Sequence, residues 1–206
     1  GLTYLMFPLD AEGVTVRPVG RLDGKPAFAE LFLDEVFVPD EDVIGAPGDG
    51  WRVAMSTAGN ERGLTLRSPG RFSAAADRLA ALWRERADPS DTAVRDRVAD
   101  AVIGARAYRL FTYANASRIA AGDSLGAESS LNKVFWSELD IALHETALDL
   151  LGPYGELSDE AAEAPAHGGW AEGHTFSLAG PIYAGTNEIQ RDIIAERLLG
   201  LPKGRR

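Results

Sequence analysis

The spacing of apolar residues changes from a strand-like to a helix-like period near residue 50, and this change restricts the folds open to the chain. Before residue 47 the apolar residues recur with a period near two and are separated by turn residues. The pattern predicts short strands at residues 2–9, 14–19 and 27–38. Together these strands would form a small antiparallel sheet.

A stretch rich in Pro and Gly at residues 39–50 ends the strand-like part. Proline and glycine weaken a strand ladder, so this stretch indicates a domain boundary. We therefore predict a β-structured part at residues 1–47 and a helical part at residues 48–206. The predicted fold class is α+β, with helix as the main component.

The helical part divides into five predicted helices, at residues 51–67, 70–87, 90–121, 125–152 and 187–199. The third is expected to open at Asp88-Pro89-Ser90, because proline is tolerated in the first helical turn. Residues 153–180, rich in Gly, Ala, Pro and Glu, predict a long irregular connection. Long amphipathic helices with short connections favour an up-and-down bundle.

Two helices carry apolar stripes that we expect to face the core of this bundle. In the third helix the stripe consists of Val94, Val98, Ala101, Val102, Ala105 and Leu110. In the fourth helix it consists of Leu131, Val134, Phe135, Leu139, Ala142, Leu150 and Leu151. Gly152-Pro153 is expected to end the fourth helix.

Composition excludes several classes of function. The net charge of −10 over 206 residues argues against nucleic-acid binding, which generally needs a basic surface. The absence of cysteine excludes disulfides and thiolate zinc sites, and three scattered histidines, His144, His167 and His174, argue against a metal site. No apolar stretch approaches the ~20 residues of a membrane span. We expect a cytoplasmic protein and, because the chain begins without Met, a fragment.

The last predicted helix begins after a tight Ala184-Gly185 turn, which raises the question of a ligand. Thr186 is placed to cap the helix, Glu188 lies in its first turn, and Gly200 is placed to end it. Gly185 allows a positive φ angle or the close approach of another group. From the pattern alone, ordinary capping and a ligand site both remain open.

A second candidate lies in the first predicted helix, in the segment Gly59-Asn60-Glu61-Arg62-Gly63. Glu61 stands among apolar residues, and a carboxylate in an apolar cleft has a raised pKa that suits a general base near neutral pH. The alternative interpretation is an ordinary glutamate on a solvated helix face.

Three stretches together resemble the C-terminal portion of the acyl-CoA dehydrogenase family. They are FLDEVFVPDEDVIGAPGDGWRVAMSTAGNERG at residues 32–63, LDLLGPYG at residues 148–155 and IYAGTNEIQRDIIAERLLGLP at residues 182–202. The resemblance spans essentially the whole chain. It implies the later strands of the central β domain followed by the C-terminal four-helix bundle, with the family's N-terminal helical domain absent from this chain.

The resemblance implies FAD-dependent dehydrogenation of an acyl-CoA thioester to a trans-2-enoyl-CoA, with electron-transfer flavoprotein as the electron acceptor. In the family a backbone N–H, here that of Ala184, and a flavin hydroxyl polarise the thioester carbonyl. Many members carry the base at the position of Ala184, whereas a smaller group carries it at the position of Glu61. The resemblance therefore assigns Glu61 as the base, with Asn60, Arg62 and Gly185 at substrate-binding positions.

The same resemblance places the cofactor between subunits of a homo- or hetero-oligomer, a dimer or a tetramer. It assigns flavin contacts to Thr186, Asn187 and Glu188, and it aligns Asp149 and Gly152 with a segment that meets the adenine end of FAD from the neighbouring subunit.

Two departures from the family pattern keep a second hypothesis open. Asp149 and Gly152-Pro153 replace the usual Gln and Gly-Gly pair, and the segment around Arg84 lacks the usual Arg-x-x-Phe-Gly. Such changes fit a catalytically incomplete partner subunit of a heteromeric enzyme. A relative that uses dioxygen as acceptor is a third possibility.

Overall fold

The computed structural model describes residues 1–64 and 67–204, and it describes their side chains except at residues 58–64. The chain separates into two units, Gly1–Glu61 and Arg62–Arg206. The domain boundary after residue 47 and the absence of an N-terminal helical domain stay predictions.

The first unit contains two separate two-stranded antiparallel sheets and most of a helix. Strands β1 (Tyr4–Leu5) and β4 (Val43–Ile44) form one sheet, and β2 (Val14–Gly20) and β3 (Pro26–Leu33) form the other. Helix α1 spans Gly50–Leu64.

The prediction of one sheet with long first and third strands was therefore wrong. The first strand ends early because the chain turns at Pro8, whose carbonyl accepts from the Ala11 N–H at 3.2 Å. The third strand ends before Glu35, which has a φ of 49° that no extended strand allows.

The second unit is a helical bundle arranged around its fourth helix. It contains α2 (Pro69–Arg86), α3 (Thr92–Ala120), α4 (Glu128–Leu151), α5 (Gly169–Ser177) and α6 (Asn187–Ile193). Helix α4 contacts each of the other four. Large buried side chains fill the core: Phe72, Leu79, Tyr108, Trp136 and Leu143. The predicted fold, α+β and mainly helical, is confirmed.

The helical part differs from the predicted one in three main respects. Helix α3 starts at Thr92 and not at residue 90, because the Asp88 carboxylate binds the Ser90 N–H and hydroxyl while Asp91 caps the helix through the Val94 N–H. The predicted irregular connection contains α5 and two short 3-10 turns, Gly152–Glu156 and Pro165–Gly168. The last helix changes from α6 to π-helical turns over Ile194–Leu198.

The apolar stripe predicted for α4 is only partly buried, with Leu139 and Leu151 in the core. Leu131 and Phe135 are exposed, as is Leu110 on α3, whereas several polar residues of α4 are buried, among them Asn132, Lys133, Ser137, Asp140 and His144. Lys133 and Ser137 contact Asn187 of α6, Asp140 contacts Arg71 of α2, and His144 packs against Trp170 of α5. The helix therefore presents a polar face to part of the core.

In the described residues no helix is long and apolar enough to cross a membrane. Residues 1–64 and 67–204 also bring no three His, Cys, Asp or Glu side chains together in a group that could hold a metal ion.

Candidate functional site

The turn before α6 adopts a strained backbone conformation. Ala184 has a φ of 54° and Gly185 a φ of 83°. A side-chain-bearing residue such as Ala184 is disfavoured in this region, and residues held there cluster at functional sites. A Cβ atom on Gly185 would lie 2.6 Å from Nε2 of Gln190, so glycine fits here for two reasons.

Gln190 braces this turn from the following helix. Its Nε2 donates to the carbonyl oxygen of Ala184 at 3.1 Å. Within the part of the chain that the structure describes, the backbone N–H groups of Ala184, Gly185 and Thr186 donate to no other residue. The turn therefore holds its carbonyl in place and leaves three successive donors available.

The start of α6 is capped as the sequence predicts. Thr186 accepts from the Ile189 N–H at 3.4 Å, and the Asn187 N–H donates to the Pro181 carbonyl at 2.8 Å. Hydrogen bonds from its own backbone N–H and from Thr186 lower the pKa of the Glu188 carboxyl. Gly200, with a φ of 66°, follows the end of the last helix as expected.

The Asn187 side chain lies inside the bundle and not at the surface. Its Oδ1 accepts from Lys133 Nζ at 2.7 Å and from Ser137 Oγ at 3.2 Å, and its Nδ2 contacts Glu138 Oε1 at 3.3 Å. Lys133 is 1% exposed, and this burial lowers the pKa of its ammonium group. The network attaches the start of α6 to α4.

A cation lies against the residue that precedes the turn. Arg67 donates to the Tyr183 hydroxyl at 2.6 Å, and its guanidinium carbon lies 5.2 Å from the ring centroids of both Tyr183 and Trp136. Its carbonyl accepts from the Tyr108 hydroxyl at 2.9 Å, and burial raises the pKa of Tyr108 to about 12. Arg67 thus connects three elements of the bundle beside the turn.

A second buried polar group lies further along α4. Arg71 donates to Asp140 at 2.7 Å, and His144 Nδ1 donates to the Asp140 carbonyl at 2.7 Å. Burial raises the pKa of the Asp140 carboxyl and lowers that of His144, which favours a neutral imidazole. Asp140 Oδ1 is buried without a hydrogen-bond partner among the described residues.

The remaining predicted residues fall into two groups. Asn60, Glu61 and Arg62 belong to α1, and their side chains lie outside the part of the chain that the structure describes. At the end of α4, Asp149 forms an ion pair with Arg97 of α3. This pairing offsets the negative charge of Asp149.

Gly152 caps α4 in a conformation that requires glycine, with a φ of 54° and a ψ of −134°. The helix therefore ends where the sequence predicts, and glycine is favoured there by the backbone conformation, since a Cβ atom would meet no other atom within 4 Å.

Four residues that shape this site were not predicted from the sequence: Arg67, Lys133, Tyr183 and Gln190. One usable signal was the polar series Lys133, Ser137, Asp140 and His144, which recurs every three to four residues along one side of α4. For Arg67, Tyr183 and Gln190 the sequence offers no comparable periodic signal.

Comparison with protein families identifies the helical part. A model described as the C-terminal domain of acyl-CoA dehydrogenase matches residues 48–199. The acyl-CoA dehydrogenase IpdE1 of Mycobacterium tuberculosis (strain ATCC 25618 / H37Rv) is 38% identical over 210 residues, covering 98% of this chain and 51% of the relative. The chain thus spans about half the length of the curated relatives it matches.

Solved structures share the fold over nearly the whole chain. The Tcur3481-Tcur3483 steroid ACAD superposes with a TM-score of 0.86 at 24% identity, covering 99% of this chain and 53% of that one. The ChsE4-ChsE5 complex from Mycobacterium tuberculosis superposes with a TM-score of 0.82 at 27% identity, covering 98% and 53%.

Proposed function

The chain belongs to the acyl-CoA dehydrogenase family, and we propose that the protein oxidises an acyl-CoA thioester to a trans-2-enoyl-CoA with FAD as cofactor. The observation that carries this proposal is the turn at Ala184-Gly185. It leaves backbone N–H groups without acceptors among the described residues, at the place where the family uses one.

Removal of the α proton is the step that most needs help from the protein. The α proton of a thioester is only weakly acidic, and negative charge develops on the carbonyl oxygen as the proton leaves. The Ala184 N–H would donate to that oxygen. Because the strained backbone and Gln190 hold the turn in place before substrate arrives, little reorganisation is required as the charge develops.

The base in this proposal is Glu61 on α1. Ala184 occupies the alternative position of the base and has no group that can accept a proton. Glu61 would therefore take the α proton, with Asn60, Arg62 and Gly185 at substrate-binding positions.

The residues assigned to FAD offer it polar groups, and the charge of one of the two carboxylates among them, Asp149, is offset by a cation. Thr186 and Glu188 lie at the exposed start of α6, and Asp149, beside Gly152, is charge-paired with Arg97. Bound FAD supplies the acceptor for the β hydride. We assign Asn187 to support of the turn, because its side chain is buried against α4.

The proposal includes partners that the family uses. They are an acyl-CoA substrate, electron-transfer flavoprotein as acceptor, and a homo- or hetero-oligomer in which the segment at Asp149 and Gly152 completes a neighbouring cofactor site.

An absorbance spectrum followed by anaerobic titration tests this function. The purified protein should show flavin absorbance, and one member of a panel of acyl-CoAs should bleach it. The Glu61→Gln variant should retain flavin and lose bleaching rate by at least ~10²-fold, the usual contribution of a general base. Glu160→Gln, at an exposed loop position, is the matched control. Near-normal bleaching by Glu61→Gln would exclude Glu61 as the base.

A second candidate is a partner subunit that completes the flavin site of another chain. The similarity to the ChsE4-ChsE5 complex, together with Asp149 and Gly152-Pro153 in the cofactor segment, favours it. In that case the protein purified alone would be folded and colourless, and it would become yellow only with a second subunit. Stoichiometric flavin in the protein purified alone would exclude this candidate.

A further inference from the structure

Lys133 is an unusual residue for the middle of a helical bundle. It is 1% exposed, and its ammonium group donates to a neutral amide oxygen, Asn187 Oδ1, at 2.7 Å. The nearby acids Glu138 and Glu188 form no salt bridge with it in the described part of the chain, and Glu138 is instead paired with Arg191. Lysine is almost never fully buried without an ionic partner.

Fold stability gives no reason to keep a charge here. A buried cation loses its hydration, and replacing buried charged groups with apolar residues of similar volume is often neutral or stabilising. Ser137 Oγ lies 3.2 Å from the same Asn187 oxygen, but its single proton is shared with the Val134 carbonyl at 3.0 Å, so Lys133 is the main donor to Asn187. A residue that costs stability and is nevertheless present suggests a role in function.

The contacts of Asn187 show where such a role would act. While its side chain is held by Lys133, its backbone N–H donates to the Pro181 carbonyl at 2.8 Å. This bond closes a loop of the chain from residue 181 to residue 187, and the loop contains Ala184 and Gly185. The Lys133 ammonium therefore fixes one end of the loop, and Gln190 braces its middle.

We propose that Lys133 is a positioning residue: by holding Asn187 it fixes the loop at residues 181–187, so that the Ala184 N–H points at the thioester carbonyl oxygen. This inference rests on the proposed function. The charge strengthens the hydrogen bond to Asn187 beyond what Ser137 alone supplies, since charge-assisted hydrogen bonds are about twice as strong as neutral ones. Lys133 itself touches neither substrate nor cofactor in this scheme.

The test uses Lys133→Met, which keeps the length of the side chain and removes the charge. Lys203→Met, at an exposed lysine, is the matched control. With an acyl-CoA that bleaches the wild-type flavin, we expect Lys133→Met to lower kcat by about 10- to 100-fold with little change in KM, because small displacements of a catalytic group cost this much. The melting temperature and flavin content should stay close to those of the wild type.

A second readout does not depend on activity. Deuterium uptake measured by mass spectrometry on peptides that cover residues 181–190 should be faster in Lys133→Met, because the Asn187 N–H loses protection. Uptake in α2 and α3 should be unchanged. Asn187→Ala should reproduce both the lower kcat and the faster uptake over residues 181–190. The double variant should show a kcat and an uptake no further from the wild type than those of either single variant. If Lys133→Met fails to fold, Asn187→Ala alone tests the proposal by the same two measurements.

The outcomes separate this proposal from the proposed function. Unchanged uptake over residues 181–190, or faster uptake with a wild-type kcat, would overturn the positioning role. A lower melting temperature of Lys133→Met, with a loss of activity that is accounted for by the fraction of unfolded protein, would also overturn the positioning role. Lys133 would then be a structural residue only. If no acyl-CoA bleaches the wild type, the proposed function fails and the role assigned to Lys133 in it fails as well, while the uptake comparison still decides whether Lys133 anchors the loop.

Discussion

Replacing Gly185 with alanine tests whether the turn before α6 is built around a special backbone conformation. Gly185 has a φ of 83°, a region that costs a side-chain-bearing residue about 1–2 kcal/mol. The new Cβ would also lie 2.6 Å from Gln190 Nε2 and would displace it. Loss of the Gln190 hydrogen bond to the Ala184 carbonyl adds about 1 kcal/mol. We therefore expect Gly185→Ala to lower the free energy of unfolding by about 2–3 kcal/mol.

Gly200 provides a control that isolates the second of these contributions. It has a similar φ, 66°, but no heavy atom lies within 4 Å of the position of its Cβ. Gly200→Ala should therefore cost only the conformational part, about 1–2 kcal/mol. Urea denaturation of the two variants under the same conditions measures the difference.

Activity separates the two variants more sharply. If the Ala184 N–H donates to the thioester oxygen, Gly185→Ala should displace this N–H and lower kcat by roughly 10²-fold, the usual effect of losing one such donor. Gly200→Ala should retain the wild-type kcat. Equal unfolding free energies and equal rates for the two variants would refute the assignment of the turn as a preorganised donor.

Two further predictions concern the bundle. Leu143 is fully buried, so Leu143→Ala should lower the free energy of unfolding by about 2–5 kcal/mol in urea denaturation, whereas the exposed Leu131→Ala should change it by less than about 1 kcal/mol. Equal effects of the two substitutions would contradict the observed burial of Leu143 and exposure of Leu131. Burial lowers the pKa of Lys133, so between that lowered pKa and 10.5 the unfolded chain binds more protons than the folded one. In this pH range the unfolding free energy of the wild type should therefore rise with pH relative to that of Lys133→Met. A difference between the two unfolding free energies that is constant over pH 7–10.5 would disprove this.

The sequence predicted the elements whose signals are local. Helices α2, α3 and α4 follow from a sustained helical period, and the cap at Thr186 and the stop at Gly200 follow from residue chemistry at one or two positions. Physical signals of this kind need no information about distant residues. The family resemblance added the site, because a turn of Ala-Gly-Thr is by itself compatible with ordinary capping.

Features that depend on distant residues could not be predicted. The pairing of β1 with β4 joins segments about forty residues apart, and both strands are only two residues long. The ion pair of Asp149 is not visible in the sequence, because its partner Arg97 lies on another helix. Helix α5 is short and rich in glycine, so tertiary packing of Trp170 outweighs its weak propensity.

The apolar stripe predicted for α4 is only partly buried: Leu139 and Leu151 lie in the core, whereas Leu131 and Phe135 are exposed. Hydropathy assigns Leu131 and Phe135 to the core, but the core surface around α4 offers Asn187 and Arg71 as polar partners. A polar side chain is buried readily when its partner is already in place. Hydropathy carries no information about such partners, so it could not separate the exposed Leu131 and Phe135 from the buried Leu139 and Leu151.

The polar face of α4 also affects how this chain can change during evolution. At Leu143 another apolar side chain can be accepted with modest repacking, one position at a time. At Lys133 and Asp140 a change also alters what Asn187 or Arg71 requires, because each is held by a residue on another helix. Substitutions there should spread mainly as matched pairs, so the two positions of each pair should covary among homologues while the apolar core drifts independently.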